Sequence, residues 1–166
     1  MPVDFRAAEA EIVSQDFDVA QTYKANELGT VAKFRDVGDT DYGSAYFKYV
    51  QYKEGTVAID GVAGEVAYYY TLDGVKNNQV TSDVSDSVNI GAGVMHVAAS
   101  DAEYLWIQIS GPATLTIALT AGADGNALTA VGAGDGTLDV SAAVTDAVCA
   151  YAGDHSDNEI ICAFPH

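Results

Sequence analysis

Basic residues are scarce in this 166-residue chain, which holds 7 Lys and Arg against 24 Asp and Glu. Lys76 is the last of them, so the sequence from residue 77 onward has 11 acidic residues and no lysine or arginine. Nucleic-acid binding needs clustered cations against the phosphates, so this composition argues against DNA or RNA as a direct partner. The net charge of −17 also disfavours anionic membranes and favours solubility.

Long apolar runs are missing as well. No stretch approaches the roughly 18 apolar residues of a membrane-spanning helix. The opening residues, MPVDFRAAEAEIV, lack the basic and apolar regions of a secretory signal. We therefore expect a chain that folds in a cytoplasm, or is exported by a route that this sequence does not show, and that has no membrane partner. Its length is that of about one domain, and a hydrophobic content of 49% argues against a disordered polymer.

Only two cysteines occur, and they flank the polar turn at residues 153–158. If the flanking segments form a hairpin, Cys149 and Cys162 fall opposite each other on neighbouring strands. Two reduced, buried thiols are the first interpretation, because free cysteine packs like a small hydrophobe. A disulfide formed in an oxidising medium is the alternative. Two cysteines without CxxC spacing and three scattered histidines do not predict a zinc site.

Recognisable catalytic motifs are absent: the sequence has no GxSxG, HExxH, P-loop or GxGxxG pattern. His96 lies in the apolar run VMHVAA, which is typical of a core or interface histidine. His155 lies in a polar turn, and His166 ends the chain. We therefore expect a protein that is not an enzyme and that carries no cofactor.

Two acidic loops leave calcium open as an alternative, because hard cations favour clustered carboxylates. The first loop contains Asp36, Asp39 and Asp41, and the second contains Asp154, Asp157 and Glu159. Neither loop has the spacing of an EF-hand. Solvated aspartates in turns are the preferred interpretation of both.

Short runs rich in Val, Ile, Thr and Tyr, each ended by Gly, Asp or Asn, begin at Gly29. Strands are predicted at residues 30–35, 45–53, 64–72, 94–98, 104–110, 113–120, 147–151 and 159–164, the last two as a hairpin. The polar residues 76–89 are interpreted as a weak strand or a surface loop. The pattern predicts an all-β fold, a β-barrel or β-sandwich of about nine to ten short strands. Residues 29–166 form its single β domain, and residues 1–28, without a clear period, form an extended N-terminal arm.

Alternation over residues 104–110 (YLWIQIS) gives the predicted strand two different faces. Leu105, Ile107 and Ile109 lie on the face that points into the core. Tyr104 and Trp106 lie on the other face, which is either a second core surface or a contact with a neighbouring subunit. We prefer the subunit interface, because aromatic anchors dominate the energy of protein–protein contacts.

Two segments resemble a known family. The first consists of Leu28, Gly29, Thr30, Phe34 and Asp36, followed by YFKYVQ at residues 46–51. It resembles the opening of many small phage head proteins encoded near the major capsid gene. The second, YLWIQISG at residues 104–111, is similar to a mid-chain strand of those proteins, with Gly125, Asn126, Ala127 and Leu128 matching the turn segment that follows it. The chain thus resembles the decoration (cement, or head-stabilising) proteins of tailed-bacteriophage capsids.

The resemblance implies a structural protein, often a homotrimer, that binds the major capsid protein on the outside of the assembled head and resists internal DNA pressure. It would fold in the host cytoplasm and end up on the capsid exterior of the virion. Its N-terminal arm would add a strand to the capsid lattice. The predicted contacts of that arm are Phe5, Arg6, Ile12, Val13 and Phe17.

The arm has a second interpretation, as a frayed terminus. A second function of the protein also remains open. The alternative function is a carbohydrate-binding or adhesive β-sandwich of a phage tail or cell surface. Such a module would stack exposed Tyr and Trp side chains on sugars above calcium-organised loops.

Overall fold

The computed structural model describes residues 19–34 and 45–165, and in these ranges ten strands form one continuous sheet. The strands are β1 Val31–Phe34, β2 Ala45–Tyr52, β3 Val66–Tyr69, β4 Gln79–Thr81, β5 Gly91–Met95, β6 Tyr104–Thr114, β7 Ala127–Thr129, β8 Asp139–Val140, β9 Val148–Ala152 and β10 Glu159–Ala163. One short α-helix, α1, spans Thr71–Asn77. The prediction of an all-β fold with about ten strands is confirmed. Among the described residues, no helix has the length and apolarity needed to cross a membrane.

A five-stranded barrel forms the centre of the molecule. Its strands follow the order β2-β4-β3-β5-β6, and it closes because β2 pairs in parallel with β4 and antiparallel with β6. Both faces of strand β2 are covered. Its even-numbered residues Val50 and Tyr52 join Leu105 and Ile107 of β6 in the main core, and Phe47 and Tyr49 on its other face are buried elsewhere, as described below. The core side of β6 is therefore the one that alternation predicts.

The other strands lie beside this barrel. Strand β1 pairs with the first half of β2 outside it, and β10, β9, β7 and β8 continue the sheet from the second half of β6. Strand β6 is thus one strand, whereas the sequence predicted a break at Gly111 and Pro112. Strand β10 continues the pairing through these two residues, and the Gln108 amide donates to the carbonyl oxygens of Ser110 and Pro112.

The segment between β3 and β5 differs from its prediction. Thr71 and Leu72, which the strand predicted at residues 64–72 includes, begin α1 instead. The polar residues 76–89 contain β4, whose Val80 and Thr81 are fully buried and which closes the barrel between β2 and β3. A strand of three residues is too short to show a period, so its burial is decided by its neighbours rather than by its own sequence.

The last ten residues of the predicted arm, 19–28, pack on the β domain. Gln21 and Tyr104 exchange two backbone hydrogen bonds of 2.8 Å, which fixes this segment to the start of β6. Tyr49 adds side-chain bonds, because its hydroxyl accepts the Ala25 N–H at 3.1 Å and donates to the Gln21 side-chain oxygen at 3.2 Å. The predicted capsid contacts of the arm, Phe5, Arg6, Ile12, Val13 and Phe17, lie outside the described residues, and their role stays a prediction.

Candidate interaction face

Trp106 is buried inside the chain and does not lie at a surface. Only 2% of it is exposed, and it belongs to a second, smaller cluster with Ala32, Phe47 and Tyr49. The Tyr49 and Trp106 ring centroids are 5.1 Å apart. The preferred prediction of a subunit contact through Trp106 is therefore wrong for this side chain, and the alternative, a second core surface, is the correct one. The cover is supplied by β1 and by the segment before it, which alternation within β6 cannot reveal.

Tyr104, the other predicted interface residue, is half-buried at the edge of this second cluster. Its ring stacks on Tyr49 with centroids 6.2 Å apart, and its backbone is the one bridged to Gln21. The segment at residues 19–28 thus occupies much of the surface that Tyr104 would offer. Its contact with a neighbouring subunit stays a prediction.

His96 is held in a structural arrangement. Its Nε2 lies 2.7 Å from the side-chain oxygen of Gln108, and its ring centroid lies 5.3 Å from that of Phe47. Burial lowers the pKa of the imidazole, and the bond to Gln108 opposes that shift. Gln108 is itself buried and fully engaged by His96 and the two carbonyl groups of β6. This arrangement fits the predicted core or interface role of His96.

The acidic loop near the C-terminus is built around a turn. Asp154 accepts the Ser156 N–H at 2.9 Å and the Ser156 hydroxyl at 2.6 Å, which caps the short 3-10 turn at His155–Asp157. These bonds lower the pKa of the Asp154 carboxyl. In the described ranges, no group of three or more His, Cys, Asp or Glu is arranged to hold a metal ion. The other candidate calcium loop, with Asp36, Asp39 and Asp41, lies outside those ranges.

The two cysteines lie on adjacent strands, as the hairpin prediction required, but one residue out of direct opposition. Cys162 faces Ala150 in the β9–β10 pairing, and Cys149 is the neighbour of Ala150. Both are buried free thiols. Burial raises the pKa of both thiols, that of Cys149 to about 12, so neither has the thiolate character of a reactive cysteine.

Strands β9 and β10 carry several exposed apolar side chains. We use the name β9–β10 face for the side chains of Val148, Tyr151 and Ile161, which are 41%, 46% and 50% exposed. Tyr151 and Ile161 are directly opposed in the ladder, so their side chains leave the sheet on the same side. Val148 lies on that side as well, because β9 contains a bulge. Leu128 of β7 pairs with Ala150 and Thr129 pairs with Val148, so the pairing skips Cys149.

Small uncharged residues extend this face across the sheet. Tyr151 is paired with Ala127 of β7, and Ile161 is paired with Pro112 of β6. One row therefore crosses four strands without a charged side chain. Since a large exposed apolar patch on a soluble protein marks an interaction site, the row is suited to docking against another protein and not to chemistry.

Sequence reasoning missed the β9–β10 face, although one signal was present. Both strands of the final hairpin carry large apolar residues at positions of opposite parity, such as Ile160 and Ile161. Two apolar faces predict either burial on both sides or an interface on one of them. In comparisons with family models, curated proteins and solved structures, nothing matches this chain.

Proposed function

We propose that this protein is a decoration protein that binds the outer surface of an assembled tailed-phage head and stabilises it, with the β9–β10 face as a contact to the major capsid protein. The observation that carries the proposal is the uncharged row that crosses four strands on an otherwise strongly acidic chain. Contact through this uncharged row avoids the desolvation penalty that buried carboxylates would impose. The negative charge elsewhere keeps free copies soluble before they bind.

Rigidity of the β domain supports the same proposal, because a protein that stabilises a capsid must resist deformation. The buried tyrosines fasten loops to the barrel through their hydroxyl groups. Tyr52 donates to the Ile59 carbonyl oxygen at 2.8 Å, and its hydroxyl lies 2.8 Å from the Ser82 hydroxyl. The Tyr68 hydroxyl likewise fastens the loop before β8, because it donates to the Gly134 carbonyl oxygen and accepts the Thr137 N–H. Buried tyrosines thus hold the loops against the barrel.

Copy number is the first test. Mass spectrometry of purified virions would quantify this chain against the major capsid protein. We expect hundreds of copies per particle, comparable with the shell protein. A handful of copies would overturn the proposal in favour of an adhesive tail protein, and complete absence from virions would exclude both functions.

The β9–β10 face can be tested by one substitution with a matched control. Ile161→Lys places a charge at the centre of the face, and Val57→Lys adds the same charge at a loop position that is 62% exposed. In co-sedimentation with empty heads, we expect Ile161→Lys to weaken binding at least about tenfold, because apolar burial is lost and a charge is desolvated. Val57→Lys should change binding less than about twofold. Equal effects of the two substitutions would exclude this face as the contact.

The arm requires a separate deletion. Removal of residues 1–18 leaves intact the segment that packs on β2 and β6, so the β domain should keep its melting temperature. If Phe5, Arg6, Ile12, Val13 and Phe17 contact the capsid, this deletion abolishes head binding. Unchanged binding would restrict the contact to the β domain.

A further inference from the structure

Among the described residues, two lysines have no acidic partner, although the chain is rich in acids. Among the five lysines that the structure describes, Lys24, Lys53 and Lys76 lie 2.7, 3.7 and 4.0 Å from carboxylates. The other two, Lys33 and Lys48, form no ion pair with any described residue. With 24 acidic residues against 7 basic ones, an acidic neighbour would be the expected environment of every cation.

These two lysines are also neighbours. In the β1–β2 ladder, Lys33 is opposite Tyr46 and Lys48 is opposite Val31. Directly opposed residues share one face of the sheet, so Lys33 and Lys48 stand diagonally beside each other on that face, with α-carbons about 7–8 Å apart. Their side chains therefore leave the same side of the sheet.

The described contacts of both ammonium groups are with uncharged groups. Lys48 is only 6% exposed, and its Nζ donates to the Tyr69 hydroxyl at 2.7 Å while lying 5.2 Å from the Tyr69 ring centroid. The exposed Lys33 has its Nζ 5.7 Å from the Tyr46 ring centroid. Aromatic rings and a phenol attract a cation but bring no compensating charge. The described surroundings thus leave both positive charges without an opposite charge.

An anion at this position would be favoured for three reasons. It would bring an opposite charge to two cations that have none among the described residues. It would accept the remaining N–H groups of Lys48, since an ammonium has three donors and one of them is used by Tyr69. The exposed side chains of Val31 and Tyr46 flank the pair on the same face, so the carbon chain of an acidic residue would find apolar contacts there.

We propose that Lys33 and Lys48 form a carboxylate-binding site that accepts an acidic side chain from a second copy of this chain. Charge complementarity favours this source, because residues 77–166 of another copy carry 11 acidic residues and no lysine or arginine. The two lysines and residues 77–166 are different segments of the chain, so every copy can both offer and fill the site, and the contact can close into a dimer or a ring. The site serves self-association in solution whether or not the chain decorates a capsid.

Sedimentation equilibrium of the full chain in 0.15 M salt tests this proposal. Wild type should associate reversibly, and Lys33→Gln and Lys48→Met should each raise the dissociation constant at least about tenfold. The control is Lys76→Gln, which changes the net charge equally at an exposed lysine and should have less than about a twofold effect. Lys33→Gln keeps the test valid if the buried substitution, Lys48→Met, impairs folding.

Three results would overturn the proposal. The first is a monomeric wild type at millimolar concentration. The second is an equal effect of Lys33→Gln and Lys76→Gln on association. The third is a loss of thermal stability in Lys33→Gln with unchanged association, because it would mean that a carboxylate of the same chain, such as Asp36, Asp39 or Asp41, occupies the site.

Discussion

Tyr68 offers the sharpest test of how the two halves of the molecule are joined. It is completely buried on β3, and its hydroxyl reaches the loop between β7 and β8. That hydroxyl accepts the Thr137 N–H at 2.9 Å and donates towards the carbonyl oxygens of Gly134, at 2.9 Å, and of Thr137. Tyr68→Phe removes only this oxygen and leaves the ring in its place.

The expected loss follows from the groups that remain. One net hydrogen bond contributes about 1 kcal/mol, and a buried backbone group left without a partner costs about 1–3 kcal/mol. Thr137 is buried, so water cannot readily replace the phenol. We expect Tyr68→Phe to lower the free energy of unfolding by about 3 kcal/mol in total. For a chain of this size, that corresponds to a melting temperature lower by about 6–12 °C.

Urea denaturation followed by the fluorescence of Trp106, the single tryptophan, gives the measurement. Tyr151→Phe is the matched control, because it removes the same atom from a side chain that is 46% exposed. The control should change the free energy of unfolding by less than about 0.5 kcal/mol. If Tyr68→Phe falls within 0.5 kcal/mol of that control, the hydroxyl does not hold the loop and the reasoning fails.

Three further predictions concern pH, thiols and glycines. Burial raises the pKa of the Tyr68 phenol above its ordinary value of 10.0, so its stabilising effect is complete below about pH 10 and is lost as the pH rises further. The stability difference between wild type and Tyr68→Phe should therefore shrink in alkali, and a constant difference would contradict this. Cys149 and Cys162 should resist a disulfide reagent at pH 8 and react fully after unfolding in urea; rapid labelling of the native protein would show that they are accessible. Gly93→Ala would place a methyl carbon 2.8 Å from a backbone oxygen of β6 and should lower stability by about 1–3 kcal/mol, whereas Gly134→Ala meets nothing closer than 3.9 Å. Equal melting temperatures for these two variants would count against the packing of β5 on β6.

The regular strands were predictable because the alternation that specifies each of them lies within a few neighbouring residues. In YLWIQIS, alternation alone assigned Leu105, Ile107 and Ile109 to the core, and the structure buries all three. The closing hairpin was found for the same reason, since a polar turn separates two apolar runs. By contrast, β4 was weakly predicted, because its burial depends on β2 and β3 rather than on its own three residues.

The candidate contact surfaces were harder to predict. Alternation showed that Trp106 lies on the side of β6 opposite the main core, but it did not show what covers that side. The segment at residues 19–28 and β1 form part of that cover. The β9–β10 face was missed because nothing in the sequence says that Ile161 stays exposed while Ile160 is buried. Which side of a two-sided apolar strand faces solvent is decided by the layer that packs on it.

The sequence by itself determined the all-β class, the acidic surface and the lack of a recognisable catalytic motif, because composition, charge and period-two alternation act over a few residues. Only the tertiary structure decided the closure of the barrel, the burial of Trp106, the exposure of Tyr151 and Ile161, and the placement of Lys33 and Lys48 on one face of the sheet. These features depend on which strands become neighbours. That choice is made by the packing of the whole chain, since each strand is too short to hold its position alone.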